Sequence, residues 1–194
     1  MRAVCVVFVL FFGGGLIAAA VYPDTALEII VALGQSFADK GLFTAAPLAQ
    51  VWLIFLNNLT VCVLLLVLGL VPFLFLPYVV VALNALTAGV VVQALPLPDG
   101  SGRFWAAAVS LLPHGVFELP ALFIAAALGA FCCARLTGVI LHRTRLPAAD
   151  APPTRPIRTA LLLAKTFLLL VLPLLVVAAA TEVWLTPLAQ KALL

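Results

Sequence analysis

The residues best suited to chemistry lie in one apolar stretch, Ser110-Leu-Leu-Pro-His-Gly-Val-Phe-Glu-Leu-Pro-Ala121. His114 and Glu118 are four positions apart, so on a helix they share a face. Pro113, Gly115 and Pro120 beside them are residue types that break helices. An ionisable side chain at the centre of a membrane helix costs about 2.5–3.5 kcal/mol on insertion scales. Two of them so close together therefore point to a role, in binding, in proton exchange or in fixing which helices pack. Asn57, Asn58, Asn84 and Glu182 extend the polar set into other apolar runs. Intramembrane asparagines ordinarily bond a neighbouring helix; the other reading is that they line a polar cavity. Glu182, two residues before Trp184, reads as an interface residue rather than a midplane one.

A histidine and a glutamate one turn apart could share a metal ion, but zinc hydrolysis takes about three protein ligands. The second histidine, His142, falls in a separate basic segment. Ser110 lies near His114, yet Gly-x-Ser-x-Gly is absent. The expectation is a non-enzymatic chain, with no catalytic residue, no metal and no cofactor.

Composition settles what must position these residues. Of 194 residues, 66% are hydrophobic and 9% charged, with a mean hydropathy of +1.31. A soluble domain carries about 25% charged residues, so the chain reads as one integral membrane domain over residues 1–194. Its net charge of +3 is an orientation signal, not a nucleic-acid footprint. Cys5, Cys62, Cys132 and Cys133 all sit in apolar runs without metal-site spacing, and read as small packing residues.

In chain order, Val4–Val21 is a first span, read as a retained anchor rather than a cleaved signal peptide. Gly13-Gly14-Gly15 within it marks a close helix contact or a flexible kink. Residues 22–47 form an acidic extracytoplasmic loop, in which 26–37 has the apolar spacing of a short helix, either lying on the membrane surface or packed as a loop helix with no partner. Residues 48–70 and 71–95 are the next two spans, joined tightly enough to predict an antiparallel hairpin. A turn follows, with Asp99-Gly100 at its tip. The run from Phe104 to Cys133 is too long for one untilted span. Pro113 therefore predicts a re-entrant half-helix over 104–112, a break, and a second helix from Pro113 to about Arg135. Residues 136–158 are a basic, proline-rich cytoplasmic linker. Thr159 to about Trp184 is the last span, kinked at Pro173. The expected fold is an all-α polytopic bundle of about five crossings plus the half-helix. The positive-inside rule then puts the N-terminus in the cytoplasm and the C-terminus outside a cell (plasma) membrane.

Four segments of this pattern resemble the stage II sporulation protein M family. They are Asn57-Asn58-Leu, Asn84-Ala-Leu-Thr-Ala-Gly89, Leu112-Pro-His-Gly-Val-Phe-Glu-Leu-Pro-Ala121 and Ala178-Ala-Ala-Thr-Glu-Val-Trp-Leu-Thr-Pro187. The likeness covers roughly 54–187, and Pro-His-Gly-x-x-Glu-x-Pro is its most specific part. The resemblance implies a multi-pass membrane protein of bacteria or archaea. The family's namesake in spore formers anchors a membrane complex with two peptidoglycan-degrading partners, as a scaffold and not as the hydrolase.

The leading expectation is thus a membrane scaffold or assembly subunit, in which His114 and Glu118 pair with each other or with Asn57 or Asn84. The alternative is a small oligomeric transporter or channel with a polar midplane site, and an intramembrane metalloenzyme is more remote. Expected partners are the lipid bilayer, further copies of the chain (a dimer or larger) and other membrane or cell-envelope proteins, with no nucleic acid.

Overall fold

The structure is a computed structural model that describes residues 1–42, 44–94, 102–145 and 156–193. Every regular element among them is helical: α1 (Arg2–Val21), α2 (Pro23–Asp39), α3 (Pro47–Leu68), α4 (Leu76–Ala94), α5 (Arg103–Arg145), and a last helical run comprising α6 (Pro156–Thr166), α7 (Leu172–Ala180) and α8 (Thr186–Leu193). Five helical stretches are long and apolar enough to cross a bilayer: Arg2–Val21, Pro47–Leu68, Leu76–Ala94, Trp105–Leu141 and Thr159–Leu193. The chain is a polytopic all-α membrane protein. Exposed side chains such as Val9, Leu64, Val79 and Leu168 to Leu170 make its outer face apolar, as contact with acyl chains requires.

The core is a cluster of Val4, Cys62, Leu65, Val81, Ala121, Ala125, Val171 and Leu175, fed by five of the helices. Its small residues let backbones approach closely, which is how helices associate where lipid competes for apolar contact. Two glycine seams do this most sharply. Gly15 on α1 meets Leu86 and Gly89 on α4, and a Cβ on Gly89 would sit 2.9 Å from the Leu16 nitrogen and 3.0 Å from the Gly15 Cα. Gly69, just after α3, meets Gly129 on α5, with no room for a Cβ on either. Gly13 has open space around it, so in the glycine triplet the close contact belongs to the third member.

These seams correct the expected hairpin. The third span packs chiefly on α1, not on its chain neighbour α3. The connection over residues 69–75 is longer than expected and is tied elsewhere: the Phe73 N–H donates to Thr137 Oγ1 at 2.8 Å, and Cys133 Sγ lies 3.2 Å from the Val71 carbonyl, both on α5. Phe73 and Phe75 adopt positive φ in this connection.

The half-helix and break at Pro113 are not present. Pro113 and Pro120 both lie inside α5, which continues for 43 residues. A proline costs a helix one hydrogen bond and a local clash, whereas a break at membrane depth would strand several backbone groups with no water to satisfy them. The helix continues as the cheaper solution. It also runs to Arg145, so residues 136–145 of the expected linker are helical, and α6 begins at Pro156. The Asp99-Gly100 turn and linker residues 146–155 lie outside the described residues.

The last span bends differently. Phe167–Val171 and Thr181–Leu185 are π turns, each ending two residues before a proline, Pro173 and Pro187. A proline ring clashes with the carbonyl four residues earlier, and widening the turn there relieves it. The span also runs on to Leu193 instead of ending near Trp184.

Candidate intramembrane site

The polar residues singled out by sequence converge on one cavity. It has a volume of about 1190 Å³ and lies between α1, α2, α3, α4, α5 and the second π turn. Asn57, Asn58, Asn84, Glu118 and Glu182, from four separate segments, all line it. The rest of the wall is mostly apolar, with Phe8, Phe12, Phe37 and Phe123 among the larger side chains. Ligand-sized cavities run to roughly 300–1,000 Å³ and combine apolar walls with a few convergent polar groups. This one is of that kind.

Each polar group is delivered by a local feature. On α3, Asn57 and Asn58 fall at the middle of a 22-residue helix. Asn84 on α4 is presented by the turn next to the Gly15–Gly89 seam, and its Nδ2 donates back to the Val80 carbonyl at 2.9 Å, while its Oδ1 makes no hydrogen bond among the described residues. Glu118 sits on the uninterrupted α5. Glu182 sits in the π turn before Pro187, where Thr186 Oγ1 donates to the Thr181 carbonyl at 3.4 Å. Glu182 lies half-buried on the cavity wall. It falls within that π turn, and π turns recur at functional sites.

Lys40 was not foreseen as part of this set. It follows α2, lines the cavity, and donates through Nζ to Asn57 Oδ1 at 3.0 Å. The last turn of α2, with Leu33, Ser36 and Phe37, closes the same wall. The short helix expected at the surface thus packs against α1 and α4 and helps enclose the cavity. The only signal for this in the sequence is a lysine after an amphipathic segment, too common to single out.

His114 behaves otherwise. It is not among the lining residues, and its Nδ1 is buried without a hydrogen-bond partner. The expected pairing of His114 with Glu118, Asn57 or Asn84 is absent among the described residues. Its electrostatic neighbour is Glu182, which in turn is within range of Glu118. Gly115 does line the cavity, and a Cβ there would meet nothing within 4 Å. The helix runs through it unbroken, so it does not act as a helix break. Pro120 lines the cavity too, while Pro113 does not. All four cysteines are free, and no group of three metal-ligating side chains occurs among the described residues.

A family model, Stage II sporulation protein M, matches residues 4–187. The chain belongs to that family. The match takes in α1, so the N-terminal span is part of the family pattern and not only the region from residue 54 onward. No curated protein and no solved structure matches the chain. Family membership and the apolar helices together make it an integral membrane protein.

Proposed function

We propose that this member of the family is a small transport subunit that takes a solute into the cavity between α2 and α5. The observation that carries the reading is the convergence of Glu118, Glu182, Asn57, Asn58 and Asn84 on a space large enough for a ligand. A pure packing device would close such groups on one another. Here Asn58, Glu118 and Glu182 have no hydrogen bond to the protein among the described residues, so their polar atoms are left for something that enters. Arg2, Arg135 and Lys165 carry the positive charge of one membrane side, which argues for a cytoplasmic N-terminus and an external C-terminus in the plasma membrane. The small size of the bundle argues for two or more copies working together.

Side-resolved thiol labelling tests this. In a cysteine-free background, Thr87→Cys on the cavity wall should react with a membrane-impermeant maleimide, and Gly115→Leu, which fills open space, should slow that reaction by about tenfold or more. An unreactive Thr87→Cys in folded protein would sink the transport reading.

A second reading, a membrane scaffold, is favoured by the length of α5. Its 43 residues span about 65 Å, twice the roughly 30 Å hydrocarbon core, so one end projects and could seat a partner. A photo-crosslinker at the exposed Val139 that captures one stoichiometric partner, in cells where Gly115→Leu is without effect, would favour the scaffold.

A further inference from the structure

Beneath the large cavity lies a second, much smaller one. Its volume is about 20 Å³, and it is lined by Asn58, Val61, Cys62, Asn84, Glu118, Leu122 and Leu175. Five of these residues also line the large cavity. Cys62 and Leu175 do not, and both are fully buried in the core. The small cavity is therefore the deep end of the site, where α3, α4, α5 and α7 meet.

Its size admits a single particle, since about 10–15 Å³ on this measure holds one water. Its oxygen-bearing walls are Glu118, Asn58 and Asn84. The amide nitrogen of Asn84 is committed to the Val80 carbonyl, which leaves its Oδ1 as an acceptor. Neither Asn58 nor Glu118 is hydrogen-bonded to protein among the described residues. One carboxylate and two amide oxygens form a hard-oxygen ligand set. The remaining walls are the apolar Val61, Leu122 and Leu175 and the Cys62 side chain.

We propose that this deep cavity binds one dehydrated monovalent cation of about the size of sodium, held by the Glu118 carboxylate and the amide oxygens of Asn58 and Asn84. The charge decides between occupants. A water molecule fits only a Glu118 that has taken up a proton, because an ionised carboxylate would stay uncompensated among apolar side chains, a costly arrangement at this depth. A single positive charge balances it. A divalent ion would be only half neutralised by the one carboxylate that lines this cavity. The side facing the large cavity stays open, so a solute or a water bound there can complete the cation's coordination. Glu118 and both asparagines belong to both spaces, and occupancy of one then affects the other. This inference rests on the transport reading, to which it adds a coupling ion.

The test is thermal unfolding of the purified full-length protein in nanodiscs. Sodium chloride is titrated against choline chloride at constant ionic strength and pH. The expected result is a saturable rise in the unfolding midpoint with sodium. Asn84→Ala should raise the half-saturating sodium concentration by about tenfold, the loss of about 1.4 kcal/mol of binding. Glu118→Gln should abolish the dependence, and Glu28→Gln, on the exposed face of α2, should leave it intact. Should Glu118→Gln fail to fold, saturable binding of radioactive sodium to the unaltered protein and its weakening in Asn84→Ala carry the test. Identical midpoints in sodium and choline would overturn the proposal, as would a midpoint that follows pH alone, which would assign the cavity to water and a proton. Thiol labelling of Thr87→Cys persists in either case if the chain is a transporter, so failure of the cation site is distinguishable from failure of the transport reading.

Discussion

Gly89→Ala adds one methyl group at the most crowded point between α1 and α4, and its effect can be worked from the contacts. The new Cβ would lie 2.9 Å from the Leu16 nitrogen and 3.0 Å from the Gly15 Cα, and nearer still to the Phe12 carbonyl oxygen. Ordinary contact begins near 3.4 Å. All three obstacles are backbone atoms of α1, so no side chain can rotate away and the helices must part. Opening a packed seam by 0.5–1 Å forfeits roughly a quarter to a half of each dispersion contact along it, and overpacking costs about 1–3 kcal/mol in well-packed sites. Taking about 2 kcal/mol, and about 2–4 °C per kcal/mol for a chain of this size, the midpoint should fall by about 4–8 °C. Two residues from the other partner, Gly13 has nothing within 4 Å of the position its Cβ would take. Gly13→Ala should therefore leave the midpoint unchanged or raise it slightly, since alanine lowers the entropy of the unfolded chain. Both variants can be compared by size-exclusion thermostability in one detergent. A Gly89→Ala protein as stable as the parent, or an equal loss in Gly13→Ala, would refute the packing account. The seam also supports function, because the α4 turn beside it carries Asn84 and Thr87 to the cavity.

Two other substitutions separate the roles of the prolines. Pro187→Ala removes the reason for the π turn at Thr181–Leu185, and loss of the extra residue would swing Glu182 by about 100° around the helix; a Glu182→Cys reporter that reacts with aqueous maleimide should then react more slowly, and an unchanged rate would show that the π turn does not depend on Pro187. Pro113→Ala restores a backbone hydrogen bond in the middle of α5, so it should hold or raise the unfolding midpoint while labelling at Thr87→Cys persists; a collapse of either would mean that an obligate break exists there after all.

Much of the architecture is legible in the sequence, for reasons that differ by feature. The spans stand out because a bilayer demands about 20 apolar residues whatever their order. The polar set stands out because each of Asn57, Asn58, Asn84, Glu118 and Glu182 is costly where it lies, and cost at membrane depth is visible residue by residue. Pairing of spans is not visible in this way. A short connection between the second and third spans points to a hairpin, but the Gly15–Gly89 contact draws α4 to α1, and nothing in a run of three glycines says which one is the contact. Prolines mislead for a related reason. The same residue type sits inside an unbroken α5 at Pro113 and Pro120 yet follows a π turn at Pro173 and Pro187, so the residue type alone does not say which form the helix takes. His114 illustrates the limit most plainly: its spacing to Glu118 is right for a pair, but it does not line the cavity, and its buried Nδ1 has no hydrogen-bond partner among the described residues.

The most direct measurement is an experimental density map of the protein in lipid nanodiscs, sharp enough to show ordered water. Water or solute density is expected in the large cavity, in contact with Asn57, Asn58, Asn84, Glu118 and Glu182. A closed interior in which these side chains bond one another, or a cavity filled only by acyl chains from the bilayer, would contradict it.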